Sequence, residues 1–80
     1  MNWIVYILKC ADDTLYTGIT TDLAARLEKH ESGKGAKYTR SRAPFEVIYT
    51  EEHDSRSSAS KREAQIKALD RVEKLQLTSR

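Results

Sequence analysis

Residues 3–10, Trp-Ile-Val-Tyr-Ile-Leu-Lys-Cys, form an almost unbroken apolar run of β-branched, aromatic and aliphatic side chains. Alternation between polar and apolar positions is nearly absent, so the run suits a strand covered on both faces at the centre of a sheet. Ala11-Asp12-Asp13-Thr14 supplies turn chemistry, and Leu15-Tyr16-Thr17-Gly18-Ile19-Thr20 then resumes strand composition. With so short a gap, an antiparallel hairpin is the simplest connection. Gly18, inside the second strand, marks a place where another backbone comes close.

The rest of the chain must therefore cover two faces of a small sheet. Thr20, Thr21 and Asp22 are N-cap residues, and Leu23, Ala24 and Leu27 recur at helical spacing until Gly33, which predicts a helix over 22–32. Residues 34–44 are polar and basic, end in Pro44 and are predicted to form a loop with at most one helical turn. Phe45-Glu46-Val47-Ile48-Tyr49-Thr50-Glu51 reads as a third strand closed by an acidic turn that contains a surface His53. Beyond Ser55, Ala59, Ile66 and Leu69 share a helical stripe with Glu63 beside it, and a last helix carries Val72, Leu75 and Leu77 behind the cap residue Asp70. The predicted order is β-β-α-β-α-α, an α/β (α+β) fold with a three-stranded antiparallel or mixed sheet and helices packed on it.

At 80 residues, one core is all the chain can build, and folding removes only roughly 60 to 65% of its surface from water; a single domain over 1–80 is expected. Hydrophobic content of 39% and charged content of 32% exclude disordered and membrane classes. Cys10 is the only cysteine, so no internal disulfide and no four-cysteine zinc site can form. The N-terminus has no basic start followed by a long apolar stretch, and no segment nears the roughly 20 apolar residues of a membrane span. A cytoplasmic protein is expected. The net charge is only +2, but its distribution is uneven: residues 1–31 sum to −2, 32–44 to +4, 45–54 to −4 and 55–80 to +4. Basic patches are compatible with that mild total.

Ile4-Val5-Tyr6 and Tyr16-Thr17-Gly18 stand on the first two strands, followed by Arg26, His30 and Glu63 on helices. In these positions the chain resembles the GIY-YIG nuclease superfamily, with Ile4 in place of the first motif's glycine and Thr17 in the middle of the second motif. Leu15-Tyr16-Thr17-Gly18-Ile19-Thr20-Thr21-Asp22-Leu23 and Ser32-Gly33-Lys34-Gly35-Ala36 are similar to its small stand-alone bacterial members, the YhbQ-like group. The resemblance spans nearly the whole chain. It implies a phosphodiesterase acting on nucleic acid, DNA first, with Tyr6, Tyr16, Arg26, His30 and Glu63 as the site. It also implies one Mg²⁺ or Mn²⁺ ion at Glu63. Some family nucleases use an asparagine after the glutamate, whereas the only asparagine here is Asn2.

The chemistry asks for an activated water, compensation of charge on the phosphoryl oxygens and stabilisation of the leaving oxygen. A lone carboxylate suffices for a hard ion that takes its other ligands from water and phosphate. Arg26 offers a bidentate fork that stays charged, and His30, at i+4 from it, faces the same way for proton relay. The resemblance makes Tyr6 or Tyr16 the group that activates or orients water. A phenol of pKa near 10 leaves about one molecule in a thousand ionised at pH 7, a deficit of roughly 4 kcal/mol. Arg26 and a cation can supply part of it, or His30 can take the proton through the hydroxyl.

Each residue also has a plain structural role. Both tyrosines suit a core, Arg26 suits an ion pair with Asp22, Glu63 suits one with Lys67, and His30 suits a helix C-terminus. Lys34, Lys37, Arg40 and Arg42, with Tyr38 among them, are expected to clamp a nucleic-acid backbone by phosphate contact and base stacking. So small a domain reads structure more than base sequence, and a monomer is favoured. Two competing expectations are a non-catalytic nucleic-acid-binding module on the same fold and a pure protein-interaction domain.

Overall fold

The structure, a computed structural model, describes residues 2–33 and 42–79. It contains β1 (Trp3–Lys9), β2 (Leu15–Thr20), α1 (Leu23–Glu31), β3 (Glu46–His53), α2 (Arg56–Lys67) and α3 (Arg71–Thr78), in the predicted order. The strands lie in the order β2-β1-β3, and both pairings are antiparallel. β1, the most apolar strand, takes the centre, and Val5, Tyr6, Ile7 and Leu8 are buried.

Local chemistry explains the boundaries. In the β1–β2 turn Asp13 adopts φ 69, and Asp12 accepts from the Thr14 hydroxyl at 2.6 Å and the Thr14 backbone N–H at 3.2 Å. Asp22 caps α1 by accepting from the Ala25 N–H at 3.1 Å, and Gly33 ends it with φ +79, a conformation glycine adopts without steric penalty. Ser55 caps α2, and Asp70 with Glu73 forms a capping box on α3.

Because side chains alternate along a strand, β1 serves two cores at once. Val5 and Ile7 face Ala59 and Ile66 of α2, with Leu77 of α3 packed alongside. Tyr6 and Leu8 face the other way, onto Cys10, Phe45 and the α1 residues Leu23 and Leu27. Between Ile7 and Leu8 the β1–β3 register shifts, pairing Ile7 with Tyr49 and Leu8 with Val47, which leaves Ile48 as the extra residue of a bulge.

Three sequence expectations need correction. β3 runs through Glu51 and Glu52 to His53, so the acidic turn begins later than expected. The reason is that Glu51 is neutralised locally: it accepts from the Tyr49 hydroxyl at 2.5 Å, pairs with His53 Nε2 at 2.6 Å and accepts from Arg62 Nε at 3.0 Å. His53 is accordingly not a plain surface residue, because its side chain is 16% exposed and its Nδ1 lies 2.5 Å from the Ser58 hydroxyl. Gly18 does accommodate a close approach, but of side chains. Tyr6 is its partner across the pair, and a Cβ at Gly18 would stand 2.6 Å from the Tyr6 hydroxyl oxygen and 3.1 Å from Tyr16 Cε2.

Candidate active site

Tyr6 on β1 and Tyr16 on β2 lie on the same sheet face, their ring centroids 6.3 Å apart and tilted by 45°. The missing side chain at Gly18 leaves room for both rings over the β1–β2 pair. α1 then covers them with a stripe in which Leu23, Leu27 and His30 recur at helical spacing and Arg26 lies alongside. His30 is 1% exposed and its ring stands edge-on to Tyr6, Tyr16 and Phe45, with centroids at 6.1, 5.2 and 5.9 Å. Its Nε2 lies 3.0 Å from the Tyr6 hydroxyl.

The electrostatics follow from this packing. Burial, with the positive charge of Arg26 adding to it, pushes the His30 pKa below its ordinary 6.5, so the imidazole is neutral at pH 7. Burial also raises the Tyr6 pKa above 10.0. Arg26 opposes that rise, while Tyr16 and Glu63 add to it. Arg26 in turn is held charged by the two phenol groups beside it. Its Nε is buried and has no hydrogen-bond partner among the described residues. Asp22, expected as an ion-pair partner for Arg26, instead caps the helix, and no ion pair joins the two among the described residues.

Glu63 comes from the opposite side of the sheet. α2 packs on the Val5–Ile7 face, yet the Glu63 carboxylate is near enough to Tyr6 for its charge to be felt there. At the free edge of β2, Leu15, Tyr16 and Thr17 share a hollow of about 390 Å³ with Lys74 and with Lys67, the ion-pair partner of Glu63. Glu63 is 23% exposed and pairs with Lys67 at 3.2 Å, so here the plain structural expectation is met. Among the described residues no group of three or more His, Cys, Asp or Glu side chains is placed to hold a metal ion.

Of the residues predicted for the site, Tyr6, Tyr16, Arg26 and His30 form one cluster, and Glu63 is coupled to it electrostatically. Lys34, Lys37, Tyr38 and Arg40 lie outside the described residues. Arg42 sits at the β1–β2 turn, where its side chain pairs with Asp12 and its carbonyl accepts from the Ala11 N–H at 2.8 Å. Lys74, on its own helix, had no sequence signal tying it to Tyr16. No helix among the described residues is long and apolar enough to cross a membrane.

Comparison with known proteins agrees with this geometry. Residues 2–76 match the GIY-YIG catalytic domain. The chain is 52% identical over 75 residues to a UPF0213 protein of Natronomonas pharaonis, covering 94% of this chain and 88% of that one. It is 58% identical over 74 residues to a UPF0213 protein of Syntrophus aciditrophicus, covering 91% and 85%. The solution structure of a UPF0213 protein from Bacillus halodurans superposes with a TM-score of 0.64 at 51% identity, over 99% of this chain and 84% of that one. That of an E. faecalis protein gives 0.67 at 40% identity, over 99% and 85%. The chain thus belongs to the GIY-YIG nuclease family, among its small UPF0213 members.

Proposed function

We propose that this protein is an endonuclease that hydrolyses DNA phosphodiesters with one Mg²⁺ or Mn²⁺ ion at Glu63, and that it selects strand structure more than base sequence. The observation that carries the proposal is Arg26: a charged guanidinium beside two phenols, with its buried Nε unpaired among the described residues. An unmade hydrogen bond of this kind costs about 1–3 kcal/mol, and a phosphate oxygen is the acceptor that recovers it with charge assistance. A single half-buried carboxylate fits a hard ion that keeps most of its waters and does not fit zinc. When bound, the ion supplies charge compensation at the phosphoryl and leaving oxygens.

The chain's own residues do the rest. Arg26 fixes the phosphate and offsets the charge that grows on it in the transition state. Tyr16, the more exposed phenol, orients the attacking water. Tyr6 is a poor phenolate because burial raises its pKa, so it acts as a relay: its oxygen receives the water's proton while its own proton passes to His30 Nε2 at 3.0 Å. His30 is neutral and can accept that proton when Nδ1 carries the ring hydrogen.

A second reading, a nucleic-acid-binding module without turnover, draws support from Glu63 already having a cationic partner in Lys67. Incubation with branched, nicked and single-stranded DNA plus Mg²⁺ or Mn²⁺ separates the two. Cleavage above a Glu63→Gln control supports the nuclease. Salt-sensitive binding that Glu63→Gln leaves intact, without cleavage, supports the module.

A further inference from the structure

The hollow at the free edge of β2 has a composition the site itself does not require. One wall is Leu15, Tyr16 and Thr17, and the other carries Lys67 and Lys74. A second hollow of about 210 Å³ continues from it, sharing Leu15 and Lys74 and adding Thr14 and Arg71. Arg71 is committed to structure. It pairs with the Asp13 carboxylate at 3.0 Å and donates to the Asp13 carbonyl at 2.5 Å, which straps α3 to the β1–β2 turn. That strap sets Lys74 opposite the strand edge. Lys67 is in a different position: its ammonium lies 3.2 Å from Glu63 while its side chain is 53% exposed and lines the hollow.

We propose that Lys67 is an exchange cation. In the free protein it neutralises Glu63. When a nucleic-acid backbone enters the hollow beside Tyr16, Lys67 swings to one phosphate, Lys74 holds a neighbouring one, and Glu63 is released for the divalent ion. The inference rests on the proposed metal-holding role of Glu63 and adds a coupling to it. An ammonium beside the carboxylate repels a divalent cation, so polyanion and metal assist each other through Lys67, by the same factor in either direction. Lys67 is a positioning residue here, since it acts on the ion only through Glu63.

The test is Mn²⁺ binding followed by electron paramagnetic resonance on the full chain, with and without a short hydrolysis-resistant phosphorothioate oligothymidylate. Removing the ammonium in Lys67→Gln is expected to tighten Mn²⁺ binding to the free protein roughly fivefold. The same variant should lose most of the further tightening that the oligonucleotide gives the wild type. Lys67→Arg keeps the charge and should behave as the wild type does, and circular dichroism confirms that each variant is folded. Mn²⁺ binding that Glu63→Gln abolishes but Lys67→Gln leaves unaltered overturns the exchange and spares the role of Glu63. Mn²⁺ binding that Glu63→Gln does not alter overturns both.

Discussion

The Tyr6 hydroxyl and His30 Nε2 meet at 3.0 Å in a position where both residues are 1% exposed, so each is the other's buried polar partner. Tyr6→Phe removes the hydroxyl and leaves His30 Nε2 without it. We expect a loss of about 1–3 kcal/mol in urea-denaturation stability, together with a fall in DNA cleavage of roughly a hundredfold or more if the relay operates. Unaltered turnover in a folded Tyr6→Phe protein excludes Tyr6 as the relay.

The buried imidazole also gives stability a pH dependence. His30 has its pKa lowered by folding, so below 6.5 the unfolded chain binds a proton that the native chain refuses. The His30 contribution is therefore complete above pH 6.5 and declines as pH falls from there toward the lowered native value. Glu51, also lowered from its ordinary 4.5, acts in a separate and more acidic window: its contribution is lost as pH drops through its native value. Denaturation midpoints measured from pH 7.5 to 5 test this, and a flat profile above pH 5 counts against a neutral buried His30.

Gly18→Ala places a methyl group 2.6 Å from the Tyr6 oxygen and 2.8 Å from its Cζ, inside contact distance of a ring that is itself fully packed. The expected result is destabilisation of about 1–3 kcal/mol from overpacking, with both tyrosine rings displaced. Ring-proton shifts of Tyr6 and Tyr16 in NMR spectra report the displacement directly.

Arg26→Lys keeps a positive charge but removes the planar fork. Arg26 Nε has no partner among the described residues, but the rest of the guanidinium hydrogen-bonds Tyr6 and Tyr16, so we expect a stability loss of about 1 kcal/mol while cleavage falls by roughly a hundredfold. A loss of stability without a loss of turnover reverses the assignment of Arg26 from phosphate binding to structure.

Glu51→Gln probes the opposite edge of the sheet. Glu51 joins Tyr49, His53 and Arg62 through bonds of 2.5 to 3.0 Å. Since the side chain is 25% exposed, the expected penalty is about 1–2 kcal/mol. DNA cleavage below the melting transition should be unaffected, which a comparison of thermal melting with activity can establish.

The fold was legible because its signals are local and strong. The run over Trp3–Lys9 could only be central, and Asp22, Gly33, Ser55 and Asp70 punctuate the helices by mechanisms that act within a few residues. The end of β3 was misread because Glu51, Glu52 and His53 look like turn residues until Arg62, eleven positions later, supplies a counter-charge. In the site, the phenols, Arg26 and His30 followed from family position, but the burial of His30 and the orphaned Nε did not, since both depend on how α1 lies on the sheet. The clefts formed by α2 and α3 at the β2 edge are a tertiary product, with Tyr16 and Lys74 separated by most of the chain.

Four residues of the proposed site arise within the first helix and hairpin, whereas Glu63 arrives on α2, which is anchored by Ala59 and Ile66 to the reverse face of the sheet. A molecule in which α2 has detached retains the guanidinium and both hydroxyl groups yet lacks the sole acidic member. Under the proposed mechanism, forms in which α2 has not docked on the sheet are expected to leave DNA uncut, because they lack Glu63.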